Sequence, residues 1–347
     1  MLISGIFVAG IANILFGLLN YIESSQQFAL FCFLVRTFEA LGAAAFSTAS
    51  YTYIMNEFPD DIGTAFGFTE TCVGFGMSLG PAVGAGLYTL GGYGLPFYVL
   101  GGLILLNIPL CWSFIDPIDM TPIEKKEKNG SEPPDEDDIF KQIEEKILKR
   151  KQKSSYLSLI TIPEVAVVAV VVAVVSQSAG FLDPTLEPHF RQYNLGTNVV
   201  GFVFLAMSLS YAILSPFVGW IASKMENKLP LMIVGLLVSA VGLALLGPAW
   251  FLPLEPTVWL SVMAVVLMGF AHAIAFIPTF ESILDIAIDK GFPDNVRTYS
   301  LVSGLWSSVY SLGEVTGPTF GGLFVDLYDF SNGCSLVAGF SLAAVSL

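Results

Sequence analysis

The chain has 347 residues, of which 54% are hydrophobic and only 13% are charged, and its mean hydropathy is +0.72. Since a soluble domain carries roughly a quarter charged residues, this composition excludes an ordinary soluble protein and predicts an all-α polytopic protein embedded in lipid. The formal net charge is −14, but the segment from Asp116 to Lys153 alone holds 11 of the 29 acidic residues and 9 of the 15 basic ones.

Ten apolar stretches are candidates for spans across a bilayer core of about 30 Å. In chain order they are roughly 3–21, 28–54, 63–89, 94–115, 160–185, 197–222, 229–250, 257–287, 299–326 and 332–347. The last stretch ends with the chain and is short for a crossing. We therefore predict an N-terminal half at 1–115 with four spans, a charged linker at 116–159 and a C-terminal half at 160–347 with six spans.

Basic residues predict the orientation of these spans. The linker holds nine of them, and the loops after the sixth and eighth spans add Lys224, Lys228, Lys290 and Arg297. The loops on the opposite side contain only Arg191. Because cytosolic loops carry an excess of Lys and Arg, the sequence predicts that the linker and the N-terminus face the cytosol.

One glycine pattern occurs twice, 237 residues apart, in the third and ninth spans. The first signature comprises Gly76, Gly80, Pro81 and Gly84, and the second signature comprises Gly313, Gly317, Pro318 and Gly321. Glycines four residues apart let two helix backbones approach closely, so we expect both signatures to pack tightly against a neighbouring helix. The repeat indicates two copies of one membrane unit, and paired irregular segments of this kind point to a central transport site.

The two copies differ in their predicted helix count. The first has two spans before its signature helix, whereas the second has four, so the first copy is two helices short. Two hypotheses follow: the chain is a fragment or isoform that lacks a first hairpin, or the natural protein is truncated.

Acidic residues within the spans are the strongest candidates for chemistry. An ionised side chain at the bilayer centre costs about 2.5–3.5 kcal/mol on insertion scales, so it needs a partner or a wet cavity. Glu70 lies ten residues before Gly80, and the equivalent position in the second copy is Ser307. Desolvation penalises the ionised form of such an acid, which favours reversible protonation. The alternative is a structural acid held by hydrogen bonds.

Two further groups in the spans are candidates for handling a proton or a cation. Asp183 precedes Pro184 near the end of the fifth span, where the prolines favour an unwound segment beside a cation path. His272 lies in the middle of the eighth span and is either a proton relay or a packing residue. Arg36 and Glu39 are three residues apart, so they share a helix face and can form an ion pair.

Aromatic side chains are predicted to line a cavity with these acids, because aromatic faces attract organic cations by roughly 0.5–2 kcal/mol per contact. Phe276 and Phe280 share one helix face, and so do Trp306 and Tyr310. Tyr211 and Ser307 complete the predicted lining. Ordinary helix packing is the alternative for each ring.

The sequence resembles the major facilitator superfamily, and within it the vesicular amine transporter branch. The first signature resembles the antiporter motif of that family's fifth helix, and residues 34–44 around Arg36 resemble its fourth-helix arginine motif. Residues 219–224 are similar to the motif between helices eight and nine, with Ser223 where an aspartate is usual. Residues 180–186, 204–213, 277–280 and 301–305 are similar to the amine branch. The resemblance implies a two-half helical bundle in which this chain supplies helices three to twelve.

The resemblance implies a secondary transporter that exchanges protons for a small organic cation, a polyamine or a monoamine, by alternating access. Arg36 would then bias the protonation of a nearby carboxylate. We expect a monomeric, multi-pass protein of a secretory or synaptic-type vesicle membrane, driven by a proton gradient without a cofactor or metal. Its partners would be lipid, protons and the cation, and not nucleic acid. No motif predicts an enzyme. The alternatives are a truncated, non-transporting isoform that regulates a partner, and a proton-independent facilitator.

Overall fold

The computed structural model describes residues 1–115, 155–193, 197–248 and 257–347. Its long helices are α1 (Leu2–Leu18), α2 (Ser25–Glu57), α3 (Ile62–Gly91), α4 (Gly94–Phe114), α5 (Pro163–Arg191), α6 (Thr197–Ser223), α7 (Leu229–Leu246), α8 (Val258–Asp289), α9 (Val296–Tyr328) and α10 (Phe330–Val345). A single turn, Tyr156–Ile160, precedes α5. The predicted linker lies almost entirely outside the described residues.

The ten helices correspond to the ten predicted spans. Within the described residues, eight of them, α1 to α8, are long and apolar enough to cross a membrane. The other two differ from these for separate reasons. Helix α9 has 33 residues but is less apolar, since it is rich in Ser, Thr and Gly and includes Glu314, and α10 has only 16 residues. The chain is therefore an all-helical, multi-pass membrane protein with no strand among the described residues.

The expectation of an unwound segment at Pro184 is wrong. Helix α5 continues to Arg191 with Pro184 and Pro188 inside it. A proline removes one backbone hydrogen bond, but packed neighbours and hydroxyl side chains can satisfy the freed groups in a membrane helix. Pro184 frees the carbonyl of Gly180, and at this level the helix packs directly on α9, where Gly180 lies against Glu314 and Pro318. The Thr185 hydroxyl donates to the neighbouring carbonyl of Phe181 at 2.6 Å.

The helices form two groups that meet along three helix pairs. In the N-terminal half α1 packs on α2 and α4, and in the C-terminal half α5 packs on α9 while α8 packs on α6 and α7. The halves meet where α3 contacts α6, α2 contacts α9 and α3 contacts α8. Short loops make successive helices antiparallel, so α4 ends and α5 begins on one side of the bundle. We call this the linker side and the opposite one the far side.

The contact between α3 and α6 is closest near the linker side. A Cβ atom added at Gly219 would collide with the carbonyl oxygen of Gly63, and the Thr64 amide donates to the Ser223 hydroxyl at 3.1 Å. A larger residue at either glycine would push the two backbones apart. These contacts hold the two halves together below the site described next.

Large apolar side chains cover the outside of the N-terminal half. Phe33, Leu90 and Trp112 are 76%, 82% and 77% exposed. Apolar exposure on this scale is unfavourable in water but is expected where a surface faces lipid. The buried hydrophobic residues instead concentrate in the C-terminal half, in two clusters around α5 and α8.

Candidate functional site

A cavity of about 880 Å³ lies between α3, α5, α6, α8 and α9. Its polar lining includes Glu70, Asp183, Tyr211, His272, Tyr310 and Glu314. The lining residues lie in the middle of these helices or nearer their far-side ends. No Lys or Arg lines the cavity among the described residues. The site is therefore acidic and aromatic, and it draws on both halves of the molecule.

Glu70 occupies the face of α3 that packs on α6. Gly67 and Gly74 lie one turn before and one turn after it on the same face, and a Cβ at either position would come within about 2.7 Å of α6 atoms. The two small residues therefore bring α3 against α6, so that Tyr211 reaches Glu70. The Tyr211 hydroxyl donates to Glu70 Oε2 at 2.7 Å, and the Tyr51 hydroxyl from α2 lies near the same carboxyl.

Glu70 is 4% exposed, and none of the described ion pairs includes it. Its charge is therefore balanced by phenol hydroxyls rather than by a cation. A buried carboxylate without a cationic partner is costly, and an incoming proton or ammonium group would relieve that cost. The role of Glu70 in binding a proton or a cation stays a prediction.

Asp183 and Glu314 form a second acidic region of the cavity, on the adjacent helices α5 and α9. Gly313 and Gly317 let α9 lie directly on α5, and Glu314 on the same turn is thereby brought close enough to interact electrostatically with Asp183. The Tyr310 hydroxyl, one turn earlier on α9, lies near the Glu314 carboxyl. Sequence reasoning noted neither Glu314 as a cavity acid nor this pairing. The sequence did contain a signal for Glu314, since an acidic side chain next to Gly313 does not serve the close helix packing that the glycines serve.

His272 lies on α8 with 7% of its surface exposed and also faces the cavity. Its Nε2 atom is 2.9 Å from the Ser178 hydroxyl oxygen. The Ser178 hydroxyl oxygen is also 2.7 Å from the Val175 carbonyl oxygen, so Ser178 either donates to that carbonyl and accepts from Nε2–H or donates to an unprotonated Nε2. In either tautomer of the neutral ring, one ring nitrogen is a proton acceptor. Sequence analysis did not find Ser178, because serines are frequent in these helices and its partner lies on another helix.

The predicted aromatic lining is correct for three side chains. Tyr211, Phe276 and Tyr310 line the cavity. Phe280, Trp306 and Ser307 do not line it. Phe280 lies one turn nearer the linker side than Phe276 on α8, and Trp306 and Ser307 lie about one turn nearer that side than Tyr310 on α9. Ser307 has a buried hydroxyl oxygen without a partner, and Trp306 donates its indole N–H to the Thr279 hydroxyl at 3.0 Å.

Four rings pack together directly on the linker side of the cavity, and we call them the aromatic cluster: Tyr51, Phe66, Phe280 and Trp306. Phe66 stacks on Phe280 with ring centres 4.4 Å apart, and Trp306 meets Phe66 edge-on at 5.3 Å. Tyr51 completes the group at 5.4 Å from Trp306. Tyr51 and Phe66 were not predicted, since they come from helices with no aromatic pattern.

Arg36 and Glu39 form the predicted ion pair, with Nη1 and Oε2 separated by 2.6 Å. The pair lies among α1, α2 and α4, where Arg36 covers the Phe16 ring at 4.0 Å and Glu39 accepts a hydrogen bond from Asn13. Neither residue lines the cavity or contacts Glu70. The structure therefore gives no route by which Arg36 would bias a cavity carboxylate directly.

The two signatures differ in packing. At Gly313, Gly317 and Gly321 an added Cβ would collide with α5, as predicted. At Gly76, Gly80 and Gly84 no atom lies within 4 Å of an added Cβ. The expectation of close packing at the first signature is therefore wrong for the described residues. Pro81, beside Gly80, lines the cavity instead.

Charged groups close the linker side below the aromatic cluster. Lys228 is 6% exposed and pairs with Asp285 at 2.5 Å and with Glu281 at 3.4 Å. Lys290 pairs with Glu164 at the start of α5. These pairs tie the start of α7 to α8 and the end of α8 to α5, all within the C-terminal half.

A two-half bundle of membrane helices around a central acidic cavity is the architecture of a membrane transport protein. The sequence matches the Major Facilitator Superfamily over residues 1–287 and again over residues 168–347. The chain belongs to this family.

Proteins with similar sequences are transporters by name. The MFS-type transporter SLC18B1 of Homo sapiens is 36% identical over 332 residues, which are 95% of this chain and 66% of the relative. The chromaffin granule amine transporter of Rattus norvegicus is 23% identical over 304 residues, covering 86% of this chain and 51% of that protein. The chain thus spans just under two thirds of the length of the human relative.

Solved structures share the fold. The human organic anion transporter MFSD10 (TETRAN) superposes on 98% of this chain and 75% of its own, with a TM-score of 0.70 at 16% identity. The proton:xylose symporter XylE superposes on 99% of this chain and 79% of its own, with a TM-score of 0.65 at 13% identity. At these identities the likeness concerns the arrangement of the helices alone.

Proposed function

We propose that the protein is a secondary transporter that exchanges protons for a small organic cation, a polyamine or a monoamine, by alternating access. The observation that carries this proposal is the charge of the cavity, in which Glu70, Asp183 and Glu314 face one space that no Lys or Arg lines among the described residues. The relatives with similar sequences, a transporter and an amine transporter by name, support the same class of function.

The lining suits an organic cation better than an inorganic one. Carboxylates supply charge for ammonium groups, and the rings of Tyr211, Phe276 and Tyr310 supply faces that attract an alkylammonium chain. Two acidic regions, at Glu70 and at Asp183 with Glu314, would each receive one ammonium group of a polyamine. An anionic substrate would meet only repulsion from these groups.

Proton coupling would reside at Glu70. The carboxylate is buried, accepts hydrogen bonds from phenols and has no cationic partner, so a proton and a substrate ammonium group would compete for it. Binding of one favours release of the other, which is the requirement for exchange. His272, which is hydrogen-bonded to Ser178 through Nε2, is a second group that could accept a proton.

Alternating access would be a rocking of the two halves about the cavity. Glu70 belongs to the N-terminal half, whereas Asp183, His272 and Glu314 belong to the C-terminal half. A substrate bound between these residues would therefore contact both halves. We propose that the linker side is cytosolic and that the protein works as a monomer in a vesicle membrane.

One observation favours a second candidate function. The first signature of α3 faces open space in the described residues, which is a surface suited to another helix. A non-transporting membrane partner would use such a surface. Uptake by the purified chain alone would exclude this second function.

The test of the proposed function is uptake into proteoliposomes with an imposed pH gradient. Glu70→Gln keeps the shape of the side chain but removes its ionisation. We expect gradient-driven uptake of labelled spermidine, and separately of a labelled monoamine, to be abolished in this variant, while binding to the purified protein survives. Unchanged uptake would exclude Glu70 as the coupling acid and transfer that role to Asp183 or His272.

A matched control is available at the far-side rim. Glu187 pairs with Arg191 at 2.6 Å and does not line the cavity. Glu187→Gln makes the same chemical change, and we expect it to transport like the parent chain. Loss of uptake in both variants would assign the effect to the removal of any acid from this acidic protein.

A further inference from the structure

The aromatic cluster closes the linker-side end of the cavity. Phe66 lies one turn before Glu70 on α3, and Phe280 lies one turn beyond Phe276 on α8, so both rings stand between the cavity and the linker side. Phe66 and Phe280 are fully buried and Trp306 is 2% exposed. No space for a substrate remains between them.

The cluster is divided between the two halves of the protein. Tyr51 and Phe66 come from α2 and α3, whereas Phe280 and Trp306 come from α8 and α9. A passage to the linker side therefore requires the first pair of rings to leave the second pair. Beside the cluster, the polar contacts between α2 and α9 are long, since the Thr52 hydroxyl lies 3.5 Å from the hydroxyls of Ser300 and Ser303.

Tyr51 is the one member of the cluster whose polar atom reaches the cavity acid. Its ring contacts Phe66, Phe280 and Trp306 at 5.3–5.6 Å between centres, and its hydroxyl lies near enough to the Glu70 carboxyl to interact with it. Tyr211, the other partner of Glu70, lies on α6 and makes no ring contact with the cluster among the described residues. A change at Glu70 is therefore felt by the cluster through Tyr51.

We propose that Tyr51 is a positioning residue that couples the state of Glu70 to the opening of the aromatic cluster. The inference rests on the proposed role of Glu70 as the coupling acid. An ionised carboxylate accepts a charge-assisted hydrogen bond from Tyr51, and this bond holds the ring in place. When Glu70 binds a proton or an ammonium group, that bond weakens, Tyr51 is released and the cluster opens towards the linker side.

The coupling can be attributed to Tyr51 only if no other titratable group near Glu70 links it to the aromatic cluster. On α6 the neighbour is Tyr211, and on α9 it is Tyr310. The remaining titratable residues of the cavity are Asp183, His272 and Glu314. None of these contacts a ring on the linker side of Glu70 except Tyr310, which stacks on Trp306 at 5.8 Å.

The test measures access to the cavity from the linker side. Ser208, which lines the cavity, is replaced by cysteine in a chain whose natural cysteines are replaced, and an impermeant maleimide is added on the linker side of reconstituted vesicles. Because a hydrogen bond to a charged group is lost, we expect Tyr51→Phe to raise the labelling rate about tenfold. Glu70→Gln should raise it equally, and the double variant should not exceed either single variant.

Two controls separate coupling from loss of structure. Tyr98→Phe removes a half-buried hydroxyl on α4, distant from Glu70, and should label like the parent chain. Tyr211→Phe removes the hydroxyl that donates to Glu70 from α6 without changing a ring of the aromatic cluster. We expect this variant to keep the slow labelling rate of the parent chain. Size-exclusion profiles of all variants report folding.

The outcomes are distinguishable from those of the proposed function. Slow labelling in Tyr51→Phe, or a double variant whose rate is the product of the single effects, would overturn the inference. If Glu70→Gln loses gradient-driven uptake while labelling stays slow, the proposed function stands and the inference fails. If Glu70→Gln keeps that uptake, the proposed coupling role of Glu70 fails, and the inference that rests on it fails as well, whatever the labelling shows.

Discussion

The two signatures carry the same glycines and proline at the same spacing, yet they sit in different surroundings. A Cβ added at Gly317 would lie 2.5 Å from the carbonyl oxygen of Gln177 and 2.8 Å from the amide nitrogen of Phe181. A Cβ added at Gly80 would meet nothing within 4 Å. One motif holds a helix interface and the other faces open space.

The partner helix accounts for the difference. The second signature packs on α5, which is the first of six long helices in the C-terminal half. The N-terminal half has four long helices in the described residues, and none of them occupies the equivalent place against α3. A glycine pattern therefore encodes the capacity for close approach, whereas the approach itself depends on a neighbour elsewhere in the sequence.

The largest expected effect separates the two signatures directly. Gly317→Leu forces a side chain into the backbone of α5, and overpacking of this kind costs about 3 kcal/mol or more. We expect it to lower both the folded yield and the midpoint of thermal unfolding, as measured by fluorescence-detected size-exclusion chromatography.

Gly80→Leu is the matched change at the first signature. In this structure the new side chain enters open space, so its yield and unfolding midpoint should remain within error of the parent chain. An equal loss in both variants would show that α3 packs against a neighbour in the membrane, and the contrast between the signatures would fail.

A smaller effect tests the acids rather than the glycines. By the repeat, Glu314 occupies the place of Met77 in the first copy, and both side chains line the cavity. Glu314→Met gives both copies an apolar residue there. We expect KM for spermidine to rise about tenfold, corresponding to about 1.4 kcal/mol of lost binding, and KM for a monoamine to rise less. Concentration-dependent uptake measures both values.

Glu23→Gln is the control for that change, because Glu23 is an exposed acid in the loop between α1 and α2. Equal KM values for spermidine in Glu314→Met and in the parent chain would remove Glu314 from the substrate site. Such a result would leave the role of Glu70 untouched.

The fold was predictable because it rests on local information. Apolar length locates all ten helices within a few residues, since lipid requires every backbone group to bond within its own helix. The continuation of α5 past Pro184 was not predictable, because it depends on packing against α9. The sequence-based prediction overestimated the local effect of a proline and underestimated the stabilising effect of packing against the neighbouring helix.

The site was predictable in part, for a related reason. Glu70, Asp183 and His272 were found because a charged or titratable group in an apolar stretch is conspicuous by itself. Tyr51, Ser178 and the aromatic cluster were missed because their importance lies in contacts between helices that are distant in sequence. Arg36 was conspicuous too, but its partners turned out to be Glu39 and Phe16 rather than a cavity acid.

The smallest expected effect concerns hydroxyl groups. It tests whether they, rather than the glycines, account for the close packing of the second signature on α5. The Ser176 hydroxyl is the nearest group to Gly313 and donates to the Val172 carbonyl at 2.8 Å. On α3 the Ser78 hydroxyl likewise donates to the Gly74 carbonyl at 2.8 Å. Both bonds run to a carbonyl of the same helix four residues earlier, so each adds little to the stability of that helix.

We therefore expect Ser176→Ala and Ser78→Ala to cost about 0.5 kcal/mol each, and to cost the same. The measurement is the unfolding midpoint of each variant in detergent, compared with that of Gly317→Leu. A much larger loss in Ser176→Ala than in Ser78→Ala would mean that the hydroxyl itself joins α5 to α9. The contrast between the signatures would then arise from polar contacts as well as from glycines. The open face of α3 would lack both a neighbouring backbone and a hydroxyl contact to another helix.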